Sequence, residues 1–594
     1  MTTHRFSVPD LSRRLLAPIA ALLGLVAGLS VLILPSPAPT TADPTEFSAE
    51  RAMASINRLA DEPHSVLRRE AHDRARDDVI GMFSDLGYTA DVHSDPLFDF
   101  SIPEDKETFD MLSTEQQAAV KDAPAETIVV DVPGKSERTM ALMAHYDSAT
   151  VEADENGRAH PTSGTSHGAA DDGYGVAAIV ETLRALKAEG RQPENSLKIV
   201  ITDAEEIGLV GARNEMHHHR ADYENVDLVL NLEARGMSGP AFMFETSPNN
   251  SAVAGYFLSH VKQPVSSSLL PSLYALMPNG TDMNVLIPKG FTVLNIAATG
   301  EADHYHHATD APRYVDHSTL QHYGDQVLGL TRAWAFDGQA PTLTADGDLH
   351  FFQLWRGLTV RYPAAVGTGL GCLAVIAALG VVAVRARSLR WKRVLGTVWG
   401  LTWRSALASA AAGLVQLGAM AMKWAPESGL GPNPLLPWMF AGGSLIGVGL
   451  TVRFVVRRWK EGLGQEAVAA VLLLLAAACI PLMVLLPGAA YVLVLPTLTL
   501  ALTALAPRRV RPVVGALAAF VIVVIFAPTI LLIHELLSLG AVWVTVFFAI
   551  VPVAPLALVL LQAGSRRTQR TTTRASSRPE AALDGAAGPA TATA

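Results

Sequence analysis

Long uncharged runs of Ala, Leu, Val and Gly fill most of the chain between Tyr362 and Leu561. A helix needs roughly 20 apolar residues to cross the hydrocarbon core of a bilayer, because its backbone rises only about 1.5 Å per residue. A further run of this length lies near the N-terminus. The sequence therefore predicts eight membrane spans, at approximately residues 15–34, 363–384, 397–422, 435–455, 466–486, 489–506, 512–533 and 541–561.

Basic residues gather in alternate loops between these runs. They lie in residues 385–393, 457–460, 507–511 and 565–570, and two more precede the first span. Cytoplasmic loops carry an excess of Lys and Arg. We therefore expect a multi-pass integral protein of the cell membrane with both termini in the cytoplasm, which places residues 45–345 on the extracytoplasmic side.

The remaining segments are short. Residues 1–14 form the predicted cytoplasmic N-terminus and residues 15–34 the anchor; a cleaved signal peptide is the alternative, because small residues follow near Ala42. The length of the run favours the anchor. The Pro-rich residues 35–44 read as an extended linker. Residues 363–561 form a multi-span domain of about seven helices, and residues 562–594 a disordered cytoplasmic tail.

Residues 45–345 have a mixed composition and contain no cysteine. Apolar runs of strand length alternate there with amphipathic helical stretches, which indicates an α/β domain: a mostly parallel (mixed) sheet flanked by helices. The whole chain would then combine this domain with an all-α multi-span transmembrane domain. The predicted strands include residues 127–132, 139–145, 196–202, 227–233 and 291–297.

Carboxylates and histidines follow the carboxyl ends of these strands, where functional groups gather in α/β sheets. A lone strand-end histidine or a Glu-Glu pair is more often structural or solvated. A set rich in His, Asp and Glu and free of thiols favours divalent metal ligation, and a cation would offset the repulsion between adjacent carboxylates. The set comprises His145, Asp147, Asp171, Asp172, Glu205, Glu206, Glu233, His304, His306, His307 and Asp310.

The motifs "HYD", "ADDGYGVAA", "DAEEIGLVG", "NLEARG" and "YHHATD" carry these residues. In order and spacing they resemble the M28 metallopeptidases, a family of co-catalytic two-zinc aminopeptidases. The multi-span region resembles the membrane-anchored branch of that family in layout. The family's fold is also a mixed sheet flanked by helices, in agreement with the pattern of strands and helices.

The resemblance implies a role for each position. His145 and Glu233 would bind one zinc ion, Glu206 and His306 the other, and Asp171 would bridge both. Glu205 would be the general base, Asp147 would orient His145, and Tyr305 would stabilise the oxyanion. In the family the peptide bond after the bridging aspartate is cis. His304 and His307 compete with His306 as ligands.

The resemblance thus implies two Zn²⁺ per chain, peptide substrates and an aminopeptidase activity. A single-zinc enzyme like glutaminyl cyclase is one alternative, and an inactive receptor-like ectodomain on a transporter is another. Membrane lipid is an expected partner; nothing in the sequence suggests nucleic acid, and it does not indicate an oligomeric state. The run His217–His219 is predicted to be a solvated surface rather than a metal site.

Overall fold

The computed structural model describes residues 8–153, 159–161, 164–277, 280–421, 436–537 and 542–564. Most of the predicted C-terminal tail and the first seven residues lie outside this range. The strands of the described residues are β1 (Asp91–Pro96), β2 (Pro124–Val132), β3 (Ser136–His145), β4 (Val151–Ala153), β5 (Ala159–Pro161), β6 (Asn195–Thr202), β7 (Val226–Ala234), β8 (Phe242–Thr246), β9 (Val293–Ala298), β10 (Leu349–Trp355) and β11 (Leu358–Pro363).

A mixed sheet in the order β1-β2-β6-β3-β7-β9-β8 forms the centre of the polar domain. Strands β6, β3, β7 and β9 run parallel to one another, whereas β1, β2 and β8 are joined antiparallel at the edges. The five predicted runs lie in or overlap β2, β3, β6, β7 and β9. The predicted fold class, a mostly parallel mixed sheet flanked by helices with an all-α region behind it, is confirmed.

Successive side chains of a strand point to opposite faces of the sheet, so a strand covered on both sides is apolar throughout. In β3, Met140 and Leu142 belong to the large core on one face. Ala141 and Met143 belong to the smaller core on the other face. The continuous apolar run of β3 therefore reflects a strand that is buried on both sides.

Helices of the polar domain cover both faces of the sheet, and a second set of helices, from α12 onwards, forms the C-terminal region. The helices are α1 (Val8–Leu29), α2 (Ala49–Leu59), α3 (Arg69–Asp85), α4 (Pro103–Met111), α5 (Thr114–Val120), α6 (Gly173–Ala188), α7 (Val210–His218), α8 (Ser251–His260), α9 (Leu269–Tyr274), α10 (Met283–Leu286), α11 (His317–Phe336), α12 (Ala364–Arg385), α13 (Trp391–Ala421), α14 (Leu436–Lys460), α15 (Gly464–Leu485), α16 (Tyr491–Leu505), α17 (Arg511–Leu537), α18 (Val542–Ile550) and α19 (Val553–Gly564).

Within the described residues, five helical segments are long and apolar enough to cross a membrane: Arg14–Leu32, Ala364–Arg385, Gly464–Leu485, Arg511–Leu536 and Val542–Gly564. The apolar helix α16 is shorter. Helices α13 and α14 coincide with the other two predicted spans. The count of eight spans stays a prediction, while the apolar helical character of this region is evident.

Helix α1 packs closely against α17 through two glycines four residues apart. A Cβ atom on Gly24 would lie 2.8 Å from the carbonyl oxygen of Phe520, and one on Gly28 would lie 2.9 Å from that of Val524. Small residues at this spacing allow membrane helices to approach closely. The choice between an uncleaved anchor and a cleaved signal peptide stays a prediction.

The predicted linker, residues 35–44, follows the surface of the polar domain. The amide of Ala38 donates to Gln321 Oε1 at 2.9 Å, and Ser48 Oγ donates to the Ala38 carbonyl at 2.8 Å. Arg51 contacts the carbonyls of Thr40 and Ala42. The segment is thus held against the domain along its length.

The polar domain meets one end of the helical region. Phe242 and Phe244 of β8 share a buried cluster with Leu532 and Leu536 of α17. The Ser268 hydroxyl donates to the Gly488 carbonyl, in the turn before α16, at 2.8 Å.

The basic segments meet one another at the other end of α12, which leaves the domain at Ala364. Arg385 Nη2 donates to the Ala504 carbonyl at 2.6 Å, and Arg390 pairs with Glu466 at 2.7 Å. The basic loops after α12, α14 and α16 are therefore grouped together, away from the polar domain.

Candidate metal centre

The parallel strands end at one edge of the sheet and carry the predicted site residues there. His145 is the last residue of β3, Glu233 lies near the end of β7, and Glu205 and Glu206 follow β6 after a short turn. Asp171 precedes α6, and His306 lies in the loop after β9. Because carboxyl ends of parallel strands share an edge, residues far apart in the chain come together.

Two groups of three potential ligands share Asp171. His145, Asp171 and Glu233 form one group, and Asp171, Glu206 and His306 form the other; within each group the ligand atoms lie within 4.8 Å of one another. His145 Nε2 is 3.2 Å from Asp171 Oδ1, and His306 Nε2 is 3.4 Å from Asp171 Oδ2. Asp171 therefore presents one carboxylate oxygen to each group.

Glu205 lies in the same cluster. It forms a further group with His145 and Glu206, again with ligand atoms within 4.8 Å. The left-handed φ of 56° at Ala204 turns the chain just before the two glutamates. The structure thus brings both glutamates to the centre, and their division into ligand and base rests on the resemblance.

The chemistry of the cluster fits divalent cations. Burial raises the pKa values of Glu205 and Glu233 well above their ordinary range and that of Glu206 to about 7. Glu206 Oε1 is buried and has no hydrogen-bond partner among the residues that the structure describes. Carboxylates in this situation need positive charge nearby, and imidazole nitrogen with carboxylate oxygen is a zinc ligand set. The residues present therefore fit zinc in each of the two groups.

Asp147 connects two strand ends beneath the cluster. Its carboxylate is fully buried and accepts the backbone N–H groups of Glu205, at 3.0 Å, and Glu206, at 3.2 Å. His145 Nδ1 lies 3.4 Å from Asp147 Oδ1 and 3.0 Å from its carbonyl oxygen. Asp147 thus fixes the backbone of both glutamates as well as the ring of His145.

Asp310 holds the backbone next to the shared Asp171, as Asp147 holds the backbone of the two glutamates. The sequence did not suggest this role. Its buried carboxylate accepts the N–H of Ala170 at 2.7 Å, the N–H of Asp171 at 3.4 Å and the Ser166 hydroxyl at 3.2 Å. The Asp171–Asp172 peptide bond is cis. The loop that presents Asp171 is therefore held by a residue 139 positions later in the chain.

Tyr305 and Arg235 lie beside the second group. The Tyr305 ring stacks on His306 with centroids 3.7 Å apart, and the Arg235 guanidinium carbon lies 5.5 Å from the Tyr305 ring centre. Arg235 Nε and Nη1 are buried and have no hydrogen-bond partner in the described structure. Arg235 belongs to the motif "NLEARG" and follows the strand-end Glu233 by two residues. That position is the one feature of the sequence that could have indicated a place for Arg235 in the site.

His306 is the histidine of its loop that joins the candidate ligand groups found among the described residues. His304 Nδ1 instead pairs with the Thr309 carbonyl at 3.1 Å. His306 has a left-handed φ of 62°, a conformation that costs free energy for a residue with a Cβ atom and that clusters at functional sites. The backbone thus turns this one imidazole towards Asp171 and Glu206.

Comparison with known proteins supports the same reading. Residues 127–331 match the model of Peptidase family M28. The vacuolar membrane protease of Lodderomyces elongisporus is 29% identical over 202 residues, which are 33% of this chain and 19% of that protein. Endoplasmic reticulum metallopeptidase 1 of Mus musculus is 24% identical over 260 residues, 42% of this chain and 27% of that protein. The match spans less than a third of either relative.

Among solved structures, glutaminyl cyclase from Porphyromonas gingivalis aligns with a TM-score of 0.36 and 18% identity, covering 48% of this chain and 98% of that chain. The region matched by the family model runs from β2 into α11 and contains every member of the two ligand groups. The motifs, the mixed sheet and the family match therefore agree. Residues 127–331 of this chain form a domain of peptidase family M28.

Proposed function

We propose that this protein is a membrane-bound aminopeptidase that uses two zinc ions to hydrolyse N-terminal residues from peptides. The observation that carries the proposal is the shared Asp171, which presents one oxygen to each of two three-ligand groups. A site for a single ion would not need the second group. The coarser statement, a zinc-dependent hydrolase of family M28, follows from the family match.

Each residue has a role in this proposal. His145 and Glu233 would hold one zinc ion, Glu206 and His306 would hold the other, and Asp171 would contribute a ligand to both. When bound, such a pair of ions supplies Lewis acidity, which polarises a carbonyl group and lowers the pKa of a water molecule. Asp147 keeps His145 and both glutamate amides in position, as outer hydrogen bonds do in metal sites.

Glu205 acts as the general base in the proposed mechanism. It accepts a proton from the attacking water and later delivers it to the leaving amine, which requires a carboxylate close to both. Potential ligand atoms of Glu205, His145 and Glu206 lie within 4.8 Å of one another, so Glu205 is close to both ligand groups. Tyr305 and Arg235 lie on the His306 side of the cluster, where their hydroxyl and N–H groups serve as donors to the oxyanion.

The main alternative is a single-zinc enzyme that acts like glutaminyl cyclase. A single zinc ion could be held by His145, Asp171 and Glu233. This alternative assigns no metal-binding role to Glu206 and His306. An inactive ectodomain is the other alternative; such a domain would be expected to have lost a ligand or the base. The complete set present here favours the two-zinc peptidase.

Zinc content provides the test. We expect two catalytic zinc ions, and we expect Glu233→Gln and His306→Ala each to remove one, while Asp171→Asn weakens both because it belongs to both groups. The measurement is elemental analysis of the purified full chain and each variant, together with hydrolysis of peptides with free and blocked N-termini. An ion lost on Glu233→Gln but none lost on His306→Ala would favour the cyclase reading, as would turnover of N-terminal glutamine without peptide cleavage.

We further propose that the polar domain faces the outside of the cell membrane. This orientation is supported by the basic loops, which are grouped at the end of the helical region away from the domain. After replacement of Cys372 and Cys479, a cysteine at the exposed Thr89 should react with a membrane-impermeant maleimide on intact cells. One at the exposed Ser388 should react only after permeabilisation; the opposite pattern would reverse the orientation.

A further inference from the structure

A second cluster of histidines and carboxylates lies on a different part of the polar domain. It is formed by His93 of the edge strand β1, Glu215 of α7, and His219, which caps the carboxyl end of α7. One ligand atom from each of these three residues lies within 4.8 Å of the others. None of the three belongs to the groups around Asp171. The predicted solvated surface at His217–His219 is only partly correct. His217 and His218 are exposed, but His218 Nε2 lies 3.1 Å from Asp99 Oδ2 and His219 Nε2 lies 2.9 Å from Asp95 Oδ2.

Glu215 is the anchor of this cluster. Its side chain is fully buried, and its two oxygens lie 2.9 Å and 3.1 Å from His93 Nδ1. The Tyr223 hydroxyl donates to Glu215 Oε2 at 2.7 Å. A buried carboxylate is costly unless a positive charge accompanies it. Here the charge comes either from a proton on His93 or from a bound cation.

The two imidazoles of the cluster lie next to each other. The rings of His93 and His219 stack with centroids 3.9 Å apart and an angle of 19° between their planes. Neutral imidazole is the form that binds metal, so a divalent ion would replace the proton on His93 as the positive charge beside Glu215. The rings would rotate out of this stacked arrangement to direct one nitrogen each at the ion.

Further carboxylates surround the cluster. Asp95 Oδ2 lies 2.9 Å from His219 Nε2, and Asp222 Oδ2 lies 4.0 Å from His93 Nε2. The ammonium group of the nearby Lys198 is engaged by Asp131 at 2.6 Å. Three carboxylates thus face two imidazoles that carry charge only when protonated, and the balance at neutral pH is negative.

We propose that His93, Glu215 and His219 form a second metal site, separate from the catalytic centre, for Zn²⁺ or a similar first-row divalent ion. Two imidazole nitrogens and one carboxylate oxygen are a borderline ligand set typical of zinc, and Asp95, Asp222 or water completes the coordination. Glu215 and His219 are four residues apart, so they share one face of a helix. The site is built from a helix and the strand beside it.

The position of the site gives it a structural role. The ion joins the edge strand β1 to the carboxyl end of α7, and α7 begins at Val210, directly after the loop that carries Glu205 and Glu206. Binding to the folded state alone stabilises that state. The ion therefore stabilises the packing of the helix that follows the catalytic glutamates, without contacting the substrate.

The test uses the full chain, stripped of metal and then equilibrated with Zn²⁺ alone. We expect His93→Ala/His219→Ala to hold one zinc ion fewer than the wild type. The matched control is His217→Ala/His218→Ala. These exposed histidines form a separate group with Asp99 at the end of the same helix, and their loss should leave the zinc number unchanged if the buried site alone binds. The result is read as the difference in zinc number between the variants and the wild type. That difference does not depend on whether the catalytic centre holds one ion or two, so the test is independent of the proposed function.

Glu215→Gln is a second variant in case the double variant folds poorly. Glutamine preserves an oxygen acceptor for Tyr223 but removes the anionic ligand, so this protein should also hold one ion fewer, and added Zn²⁺ should raise its thermal transition by less than that of the control. Equal zinc content in the wild type, the double variant and Glu215→Gln would overturn the site. Loss of the ion from the His217/His218 control alone would show adventitious binding to exposed histidines.

Discussion

Glu205→Gln is expected to abolish most activity while the protein keeps both catalytic zinc ions. Glutamine has nearly the same volume and hydrogen-bonding reach, but it cannot accept a proton from water at neutral pH. Loss of a general base typically costs about 10²–10⁴ in rate, or about 3–5 kcal/mol of barrier. The backbone of the loop should not change, because Asp147 holds it through the amide of residue 205.

Glu206→Gln is the matched comparison, since it makes the same chemical change one residue later. It removes a charged ligand of the group formed with Asp171 and His306, so zinc content should fall by one ion. Both variants are measured for zinc and for initial rate on an aminoacyl reporter substrate. If Glu205→Gln loses an ion and Glu206→Gln retains both, the two roles are exchanged. Full activity in both would contradict the peptidase proposal itself.

Asp310→Ala is expected to destabilise the protein and weaken zinc binding, although Asp310 is in neither ligand group. The substitution removes the acceptor for two buried N–H groups, those of Ala170 and Asp171. A buried donor left without a partner costs about 1–3 kcal/mol. The loss of an outer hydrogen bond that positions a metal ligand typically reduces metal affinity by about 10–100-fold.

Thermal unfolding with and without zinc, and competition with a chelator, measure these two effects. Asp310→Asn should fall between the wild type and the alanine variant, because it keeps one oxygen acceptor. Ser166→Ala is the comparison. It removes the hydroxyl bond to Asp310 and the acceptor for the Gly168 N–H but leaves both amide contacts of Asp310, so it should lower stability while zinc affinity stays near that of the wild type. Wild-type zinc affinity in Asp310→Ala would show that the loop of Asp171 is held by other contacts.

The central strands could be predicted because they are buried on both faces, which makes their sequences continuously apolar. Strand β1 could not, because its sequence, "DVHSDP", is polar and mostly exposed at the edge of the sheet. The hairpin of β10 and β11, between the polar domain and the first helix after it, was also missed. Edge strands and short hairpins depend on pairing partners that no local pattern reveals.

The same distinction applies to the site. The candidate ligands were predicted because they occur in compact motifs at strand ends, and the structure brings all of them together. The contributions of Asp310 and Arg235 were not predicted, because they depend on contacts with residues distant in the chain. The pairing of His219 with Asp95 was missed for the related reason that β1 itself was not recognised as a strand.

The contact between α1 and α17 also sets an order of events during synthesis. Gly24 meets Phe520, which is about 500 residues later in the chain; at roughly 5–20 residues per second its partner emerges about 25–100 s after it. Throughout that interval the glycine face of α1 lacks the helix that covers it in the folded chain. Completion of the bundle waits for α17, so a chain interrupted before α17 leaves its first helix inserted without its packing partner.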